Sequence, residues 1–289
     1  MNASGTVVVG SAREDEARAC RMLLPAAHRD PEPEVLVARG PGGAILGAAA
    51  LQWQGWRTPP GFPLLVEVVP SARRRGVGRA LVEAAAALAT GEAPGLWAWD
   101  LLAEASKAAR FLAACGFAPR TRVRDYRVEV AAAASVASAV VARLRERGRV
   151  PPGARVVPLR EADLAAVARL VTWELGTAPT DLSARLAAGT AEFNLDHSLA
   201  LLAGSHLAGA VLIRWEAEPV ADAIVVAPAY RGGWANALML DAITALGRAV
   251  GATHFRFIAE QGVRDTVKLA SRAGGEVIEE RVGYYRALA

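Results

Sequence analysis

Apolar and polar positions along the chain predict one series of strands and helices that occurs twice. Short apolar, β-branched runs bounded by Gly and Pro are typical of strands, and apolar residues three and four apart are typical of amphipathic helices. In the first half the strands are Thr6–Val9, Val35–Ala38, Ile45–Gln52, Leu64–Val69, Leu96–Trp99 and Val123–Val130, and the helices are Glu14–Leu24, Val77–Ala89 and Ser106–Ala114. In the second half the strands are Arg155–Val157, Leu199–Ala203, Leu207–Arg214, Ala223–Val226, His254–Ala259 and Val277–Arg286, and the helices are Glu161–Leu175, Ala235–Val250 and Arg264–Arg272.

Three landmark pairs place the two halves in one register. The pairs are Pro70 with Pro228, Gly116 with Gly274, and Tyr126 with Tyr284, each 158 residues apart (228 − 70 = 158). A period of this length indicates a tandem duplication of a whole domain. We therefore expect an N-terminal domain over 1–130, a helical linker over 131–150 built on the Ala-rich stretch Ala131–Arg147, and a C-terminal domain over 151–289.

Composition supports this organisation and excludes several classes of protein. The chain has 289 residues and 53% hydrophobic residues, which suits two globular domains. No apolar run reaches the roughly 20 residues that span a bilayer, so we expect no membrane segment. With 2 cysteines, a disulfide framework and a Cys-built zinc site are excluded, no metal site is predicted, and a cytoplasmic location is favoured.

Charge is informative at one place. The net charge is +4, and the densest basic cluster is Arg73, Arg74, Arg75 and Arg79. Because no aromatic residues are interleaved with a basic stripe, we expect an anionic small molecule there and no nucleic acid. The sequence leaves the oligomeric state open.

The loop that carries these arginines has the composition of a pyrophosphate site. A strand ends at Pro70, three arginines follow, and Gly76 and Gly78 begin a helix. The first N–H groups of a helix are unpaired and its dipole is positive there, so this position attracts anions, and glycine lets them approach closely. The loop lacks the Gly-Lys-Ser/Thr of a P-loop and the three spaced glycines of the dinucleotide fingerprint.

This stretch resembles motif A of the GNAT acetyltransferase superfamily. That motif is Arg/Gln-x-x-Gly-x-Gly/Ala after a strand ending in Val-x-Pro, and here Arg73-Arg-Arg-Gly76-Val-Gly78 follows Val68-Val69-Pro70. Ala108–Phe117, which ends in Gly-Phe, resembles motif B, and the resemblance covers most of residues 6–130. It implies an α/β fold of two tandem GNAT domains, each a mostly antiparallel sheet with a splayed strand pair flanked by helices.

The resemblance also implies a cosubstrate and a reaction. GNAT proteins bind acetyl-CoA or another acyl-CoA and transfer the acyl group to an amine, here a small molecule in a ternary complex. The residues expected to bind the cosubstrate are Val68, Val69, Arg73, Arg74, Arg75, Gly76, Val77, Gly78, Arg79 and Ala80. A non-catalytic protein that binds acyl-CoA or another metabolite is the alternative.

The second copy of the loop has diverged. Pro228 and Arg231 remain, but in strict register Trp234 replaces Gly76 and Asn236 replaces Gly78. A Trp side chain at the first glycine would crowd the phosphate path, unless Gly232-Gly233 shifts the loop. We therefore expect the cosubstrate in the first domain, while catalysis in the second domain stays open.

The catalytic groups are less clear from the sequence. Glu67, Asp100 and Asp222 are the candidate bases, each with a structural alternative as a paired or capping carboxylate. The Tyr that the family often uses as the acid, four residues before the motif B glycine, is replaced by Leu112 and Ala270. Ala105 and Val263 lie near the place of the family's motif B Asn. The acid is thus another group or solvent, or the protein is not a catalyst.

Overall fold

The computed structural model describes residues 7–27, 32–52, 60–175, 182, 186, 193–231, 233–260, 267 and 271–288. The chain divides into two compact units. The first unit comprises Met1–Arg120 and Val282–Ala289, and the second comprises Thr121–Arg281. None of the described helices is long and apolar enough to cross a membrane.

The first unit is a mostly antiparallel sheet with helices. Its strands lie in the order β1-β2-β3-β4-β5-β12, and the pairing is antiparallel except between β4 and β5, which are parallel. The strands are β1 (Val8–Ser11), β2 (Glu34–Arg39), β3 (Ile45–Leu51), β4 (Phe62–Val68), β5 (Gly95–Ala98) and, from Val282 onward, the end of β12 (Glu276–Ala287). The helices are α1 (Ala17–Leu23), α2 (Val77–Ala89) and α3 (Lys107–Ala114).

Helix α2 packs its apolar face into the core of the first unit. The buried residues are Val77, Leu81, Val82, Ala85, Ala86 and Ala89. They recur three, four and five residues apart, which keeps them on one face. Leu88, although apolar, lies off this face and is 39% exposed.

The second unit repeats this arrangement. Its strand order is β6-β11-β10-β9-β8-β7, and β10 and β11 are the parallel pair. The strands are β6 (Ala118–Glu129), β7 (Ala154–Pro158), β8 (Leu199–Ala203), β9 (His206–Trp215), β10 (Pro219–Val226) and β11 (His254–Glu260). The helices are α4 (Val130–Glu146), α5 (Leu164–Leu175) and α6 (Trp234–Ala249).

The observed units differ from the domain boundaries expected from the sequence. Residues 131–150, expected to be a linker, form most of α4, whose buried face packs in the core of the second unit. A Cβ added to Gly247 of α6 would lie only 3.0 Å from Cγ2 of Val130. Small residues on α4 and the missing side chain at Gly247 let the two helices approach closely.

The last strand of each repeat contributes to the unit of the other repeat. β6 and β12 are equivalent at the 158-residue spacing, since 276 − 118 = 158. β6 nevertheless pairs with β11 along Val123–Glu129 in the second unit. The end of β12 pairs with β5 in the first unit, where Tyr285 lies opposite Trp97.

Several predicted elements have different bounds in the structure. The first strand is Val8–Ser11, and the predicted helix Glu14–Leu24 is a 3₁₀ turn at Glu14–Glu16 followed by α1. The predicted helix Arg264–Arg272 falls largely outside the described residues, as does Thr6.

Candidate functional site

A gap opens in the first unit where β4 and β5 separate. The two strands pair only from Phe62 with Leu96 to Leu64 with Ala98, and the Trp99 N–H donates to the Leu64 carbonyl at 3.0 Å. β4 continues to Val68, and no described strand pairs with this part of its edge. Because backbone groups alternate in direction along a strand, the N–H and C=O of Val66 point into the gap.

The loop after β4 has an uncommon backbone. A 3₁₀ turn at Pro70–Ala72 leads into Arg74 with φ +64° and Gly76 with φ +83°, and α2 follows. Among the described residues Arg74 alone combines a side chain with positive φ, a conformation that costs about 1–2 kcal/mol. Within the described part of the chain, no backbone group accepts a hydrogen bond from the N–H groups of residues 74–79. The loop and helix start therefore present a row of free donors.

The two motif glycines are needed for different structural reasons. An added Cβ at Gly76 would meet nothing within 4 Å, so the space beside this residue is open. Glycine is needed at this position because the backbone has a positive φ, which other residues rarely adopt. At Gly78 an added Cβ would lie 3.0 Å from the ring of Phe111 and 3.5 Å from Val68 Cγ2. The loop composition predicts that both glycines serve the approach of an anion, whereas Gly78 allows α2 to pack against Phe111.

The arginines of the loop fall into two groups. Arg73 Nε donates to the Val68 carbonyl at 3.0 Å, and Arg79 Nη2 donates to the Ala114 carbonyl at 2.9 Å. Both side chains thus fix the backbone around the loop while keeping a positive charge there. Arg74 and Arg75 are exposed and make no such bond to a described residue.

The gap and the loop border a cleft of about 1020 Å³ in the first unit. Of the predicted cosubstrate-binding residues, those that line it are Val68, Arg73, Arg74, Gly76, Val77, Gly78 and Arg79. A second wall comes from α3 and was missed by the sequence analysis; its residues are Lys107, Ala108, Arg110, Phe111, Ala114 and Cys115. The motif B resemblance could have indicated this helix, but not which of its faces lines the cleft.

The remaining predicted binding residues lie outside the lining. The Val69 N–H donates to the Leu46 carbonyl at 3.0 Å, so it belongs to the pairing with β3. The Ala80 N–H donates to the Gly76 carbonyl at 3.0 Å and closes the first turn of α2. Arg75 is exposed beside the cleft lining.

Among the described residues, Glu67 is the one carboxylate that lines this cleft. It lies on β4 opposite Ala48, is exposed, and makes no hydrogen bond or ion pair with a described residue. Successive side chains of a strand point to opposite faces, so Glu67 lies on the face opposite Val66 and Val68. Its residue nevertheless belongs to the lining of the cleft.

The other two candidate bases are placed differently. Asp100 is exposed after β5 and is not part of the cleft lining. Asp222 belongs to the second unit, at a bulge of β10, where Arg214 donates to both its oxygens at 2.6 and 3.0 Å. This contact raises the pKa of Arg214 above its usual range, and it engages Asp222 in an ion pair.

Leu112 and Ala105, which stand where the family often has its acid and its Asn, are placed away from the cleft lining. Leu112 is buried in the core and does not line the cleft, and Ala105 is exposed. The thiol of Cys115 does line the cleft, and burial raises its pKa. The corresponding residues of the second repeat, Val263 and Ala270, lie outside the described residues.

The second copy of the loop keeps the bond from its arginine to the strand carbonyl, but it is shorter than the first copy. Arg231 Nε donates to the Val226 carbonyl at 3.2 Å, which repeats the contact of Arg73. However, Arg231 also forms an ion pair with Glu174. Helix α6 begins at Trp234 directly after Gly233, so this loop is one residue shorter than the first (233 − 76 = 157).

Trp234 therefore takes the first helical position and not the place of Gly76. Its ring packs edge-on against Tyr230, with the ring centroids 6.0 Å apart. Asn236 lines a cavity of only about 10 Å³ beside α6. Gly232 is outside the described residues, so the backbone of this loop is described only in part.

The described residues bring together no group of three His, Cys, Asp or Glu side chains suited to a metal ion. The candidate site thus consists of the cations and N–H groups of the cleft together with Glu67.

Comparisons with known proteins address the domain type and the fold. Residues 31–119 match the family model of the acetyltransferase (GNAT) domain. No curated protein matches the chain.

Solved structures with similar folds cover both units. A GCN5-related N-acetyltransferase from Sphaerobacter thermophilus is 15% identical, with 100% of this chain and 97% of that one covered and a TM-score of 0.55. A tandem GNAT protein from the clavulanic acid biosynthesis pathway is 18% identical over 98% and 99% of the chains, with a TM-score of 0.52. A GCN5-related N-acetyltransferase from Kribbella flavida is 15% identical over 98% and 72%, with a TM-score of 0.62.

At these identities the likeness shows the fold alone, and that fold is the predicted one of tandem GNAT domains. Residues 31–119 match the acetyltransferase (GNAT) domain, and over both units the chain has the fold of tandem GNAT proteins.

Proposed function

We propose that the first unit transfers an acyl group from acetyl-CoA, or another acyl-CoA, to a small-molecule amine in a ternary complex. One observation supports this most strongly: a cleft beside a splayed strand combines free helix-start N–H groups, several cations and an unpaired carboxylate. The family-level acetyltransferase match over residues 31–119 is consistent with it.

The residues of the cleft fit an acyl-CoA. The free N–H groups of residues 74–79, with the charges of Arg74 and Arg79, suit a pyrophosphate. The open space at Gly76 leaves room for it. The free backbone edge at Val66 suits the amides of the pantetheine arm, since it offers one donor and one acceptor in strand geometry. When bound, the thioester supplies an activated carbonyl for attack by the amine.

Glu67 is the proposed base. It accepts the proton that the amine loses as its nitrogen attacks, and its negative charge also attracts a protonated amine to the cleft. No described Tyr, His or Ser side chain lines the cleft, so we assign the proton for the leaving thiolate to solvent.

A thiol-release assay tests the proposal. The full chain is incubated with acetyl-CoA and a panel of small amines, and free thiol is followed over time. Glu67→Gln should lower kcat with the best amine by about 100-fold or more, the contribution typical of general base catalysis, while CoA affinity stays unchanged. The matched control is Glu92→Gln, an exposed carboxylate outside the cleft. Equal turnover by Glu67→Gln would show that Glu67 is not the base.

The second candidate is a non-catalytic acyl-CoA-binding protein. Leu112 and Ala105 stand where the family often has its acid and its Asn, which favours this alternative. Tight CoA binding without thiol release for any amine in the panel would support it against the enzyme.

The free cysteines support a reducing compartment such as the cytoplasm. Cys20 and Cys115 are both unpaired and buried. Disulfides form and persist in oxidising compartments, so an unbridged pair of cysteines favours the reducing alternative.

A further inference from the structure

We infer that Arg286, near the end of β12, is a positioning residue of the cleft in the first unit. It holds the end of α3 against α2 and so sets the separation of two walls of the proposed acyl-CoA site. The inference rests on the proposed function, because it says how a residue of the second repeat controls cosubstrate binding at that same site.

The end of α3 is held by two arginine side chains. The last carbonyls of a helix have no partner within the helix, and cations are favourable beside them. The Ala114 carbonyl accepts a hydrogen bond from Arg79 Nη2 at 2.9 Å, and the Cys115 carbonyl accepts one from Arg286 Nη1 at 3.0 Å. Ala114 and Cys115 both line the cleft, so these two bonds fix the end of its α3 wall.

Arg286 is bonded to α2 as well. Its Nη1 and Nη2 donate to the two carboxylate oxygens of Glu83, each at 2.8 Å. These hydrogen bonds lower the pKa of Glu83. A bidentate contact fixes the orientation of the guanidinium as well as its distance. Glu83 lies one turn after Arg79 on α2, so the two links to α3 start from neighbouring positions on one face of that helix.

The sheet fixes the base of the Arg286 side chain. Arg286 lies opposite Leu96 in the pairing of β12 with β5, and the Leu288 N–H donates to the Pro94 carbonyl at 3.0 Å. A Cβ added to Gly116 would lie 3.7 Å from Arg286 Nε, so the side chain passes directly beside the end of α3. Arg286 thus joins the sheet, α2 and α3 through one set of bonds.

Arg286 acts on the cosubstrate only through other residues. It lies outside the cleft lining, whereas Cys115, whose carbonyl it binds, is part of that lining. Without the arginine, α3 keeps its contact with α2 at Gly78 and Phe111 but loses a bond at its end. The wall is then less fixed, and binding has to order it. We therefore expect weaker binding of acyl-CoA, with little effect on the transfer step at Glu67.

Calorimetric titration of the full chain with CoA, and kinetics with acetyl-CoA and the best amine, test the inference. Arg286→Gln should raise the Kd of CoA and the KM for acetyl-CoA about tenfold, while kcat at saturating acetyl-CoA changes less than about twofold. Arg286→Lys, which keeps the charge and can donate to both partners, should stay within about threefold of the wild-type Kd. The matched control is Arg281→Gln, which removes an arginine of the same strand that pairs with Glu279 at 3.6 Å and should leave the Kd unchanged.

Glu83→Gln tests the same link from α2. It removes the charge that orients the Arg286 guanidinium and should raise the Kd of CoA about threefold or more. The double variant Glu83→Gln/Arg286→Gln should bind CoA about as well as Arg286→Gln alone, because the two residues act through one contact. Fully additive effects of the two substitutions would contradict this shared action.

The outcomes separate the two proposals. If the wild-type protein binds CoA and a folded Arg286→Gln variant binds it equally well, or loses kcat as much as affinity, the positioning role is overturned while the proposed function stands. If Arg286→Gln does not fold, an unchanged Kd in Glu83→Gln overturns the positioning role in the same way. Failure of the wild-type protein to bind CoA overturns the proposed function itself.

Discussion

Individual residues of the loop meet backbone requirements in addition to the binding role proposed for them. Arg73 and Arg231 make the same bond to the last strand carbonyl, at 3.0 and 3.2 Å, so the first arginine of the motif is a structural residue in both repeats. Among the described residues, what distinguishes the first loop is its additional residue and the N-cap φ of +83° at Gly76 against +150° at Gly233. We therefore expect CoA binding to depend on backbone shape more than on arginine side chains.

Gly76→Trp tests this dependence on shape. We expect CoA affinity to fall at least about tenfold, because the Trp side chain enters the open space of the loop and a side chain at this positive φ strains the backbone. The effect should depend little on salt. Arg74→Ala, which removes an exposed charge, should cost only about 0.2–1 kcal/mol and lose even that at high ionic strength.

The control is Gly91→Trp, since Gly91 has φ +88° with open space around it but lies at the far end of α2. Both Gly→Trp variants carry the same backbone strain, so equal stability with unequal CoA affinity isolates the ligand effect. Loss of binding in Arg74→Ala together with intact binding in Gly76→Trp would contradict this account and indicate an open anion patch.

The sequence predicted these residues because their pattern is local. Pro70, Arg73–Arg75 and the two glycines lie within nine residues, and strand, turn and helix follow from them directly. The contact of Gly78 with Phe111 joins two helices 33 residues apart (111 − 78 = 33), and no local pattern encodes it. The ion pair of Asp222 with Arg214 likewise depends on how β9 and β10 pair.

At the scale of elements, the first helix is held to its sheet by one buried ion pair. Arg39 on β2 donates Nε to Glu16 at 2.7 Å and Nη2 to the Ser11 carbonyl at 2.9 Å. The Arg39 guanidinium lowers the pKa of Glu16 from 4.5 to about 2. The bond thus joins β1, β2 and the turn that begins α1.

This pair predicts a defined dependence of stability on pH. The folded-state pKa of Glu16 is depressed, so its contribution is complete above pH 4.5 and is lost as the pH falls from 4.5 towards 2. Glu16→Gln should lower the melting temperature at pH 7. The difference in melting temperature between this variant and the wild type should shrink as the pH falls from 4.5 towards 2. Glu14→Gln, at an exposed neighbouring position, serves as the control. A difference that stays constant from pH 7 to pH 2 would contradict the assignment.

At the scale of the whole molecule, the exchange of strands is the feature that sequence reasoning did not reach. Tyr126 and Tyr284 occupy equivalent places in equivalent strands, so their local patterns are the same. Tyr126 stacks on Phe257 in the second unit, with centroids 5.4 Å apart, while Tyr284 is buried in the core of the first. Nothing in a local pattern specifies which sheet such a strand joins.

The exchange predicts that the halves are interdependent. A chain cut between 149 and 150 should give fragments that do not fold separately as monomers, since each lacks strand residues that its own unit needs. Co-expressed, they should co-purify through a tag on one fragment and bind one CoA per pair. A monomeric 1–149 fragment that binds CoA as tightly as the whole chain would disprove this dependence.

The exchange also sets an order of events during synthesis. Between Arg120 and Val282 lie 161 residues (281 − 120 = 161), and the first unit is complete only after these have been added. At about 5–20 residues per second, the ribosome needs roughly 8–32 s for that stretch. During this interval β5 has an open edge that only the final residues of the chain cover. The nascent first unit is therefore the stage at which chaperones have an exposed strand to protect.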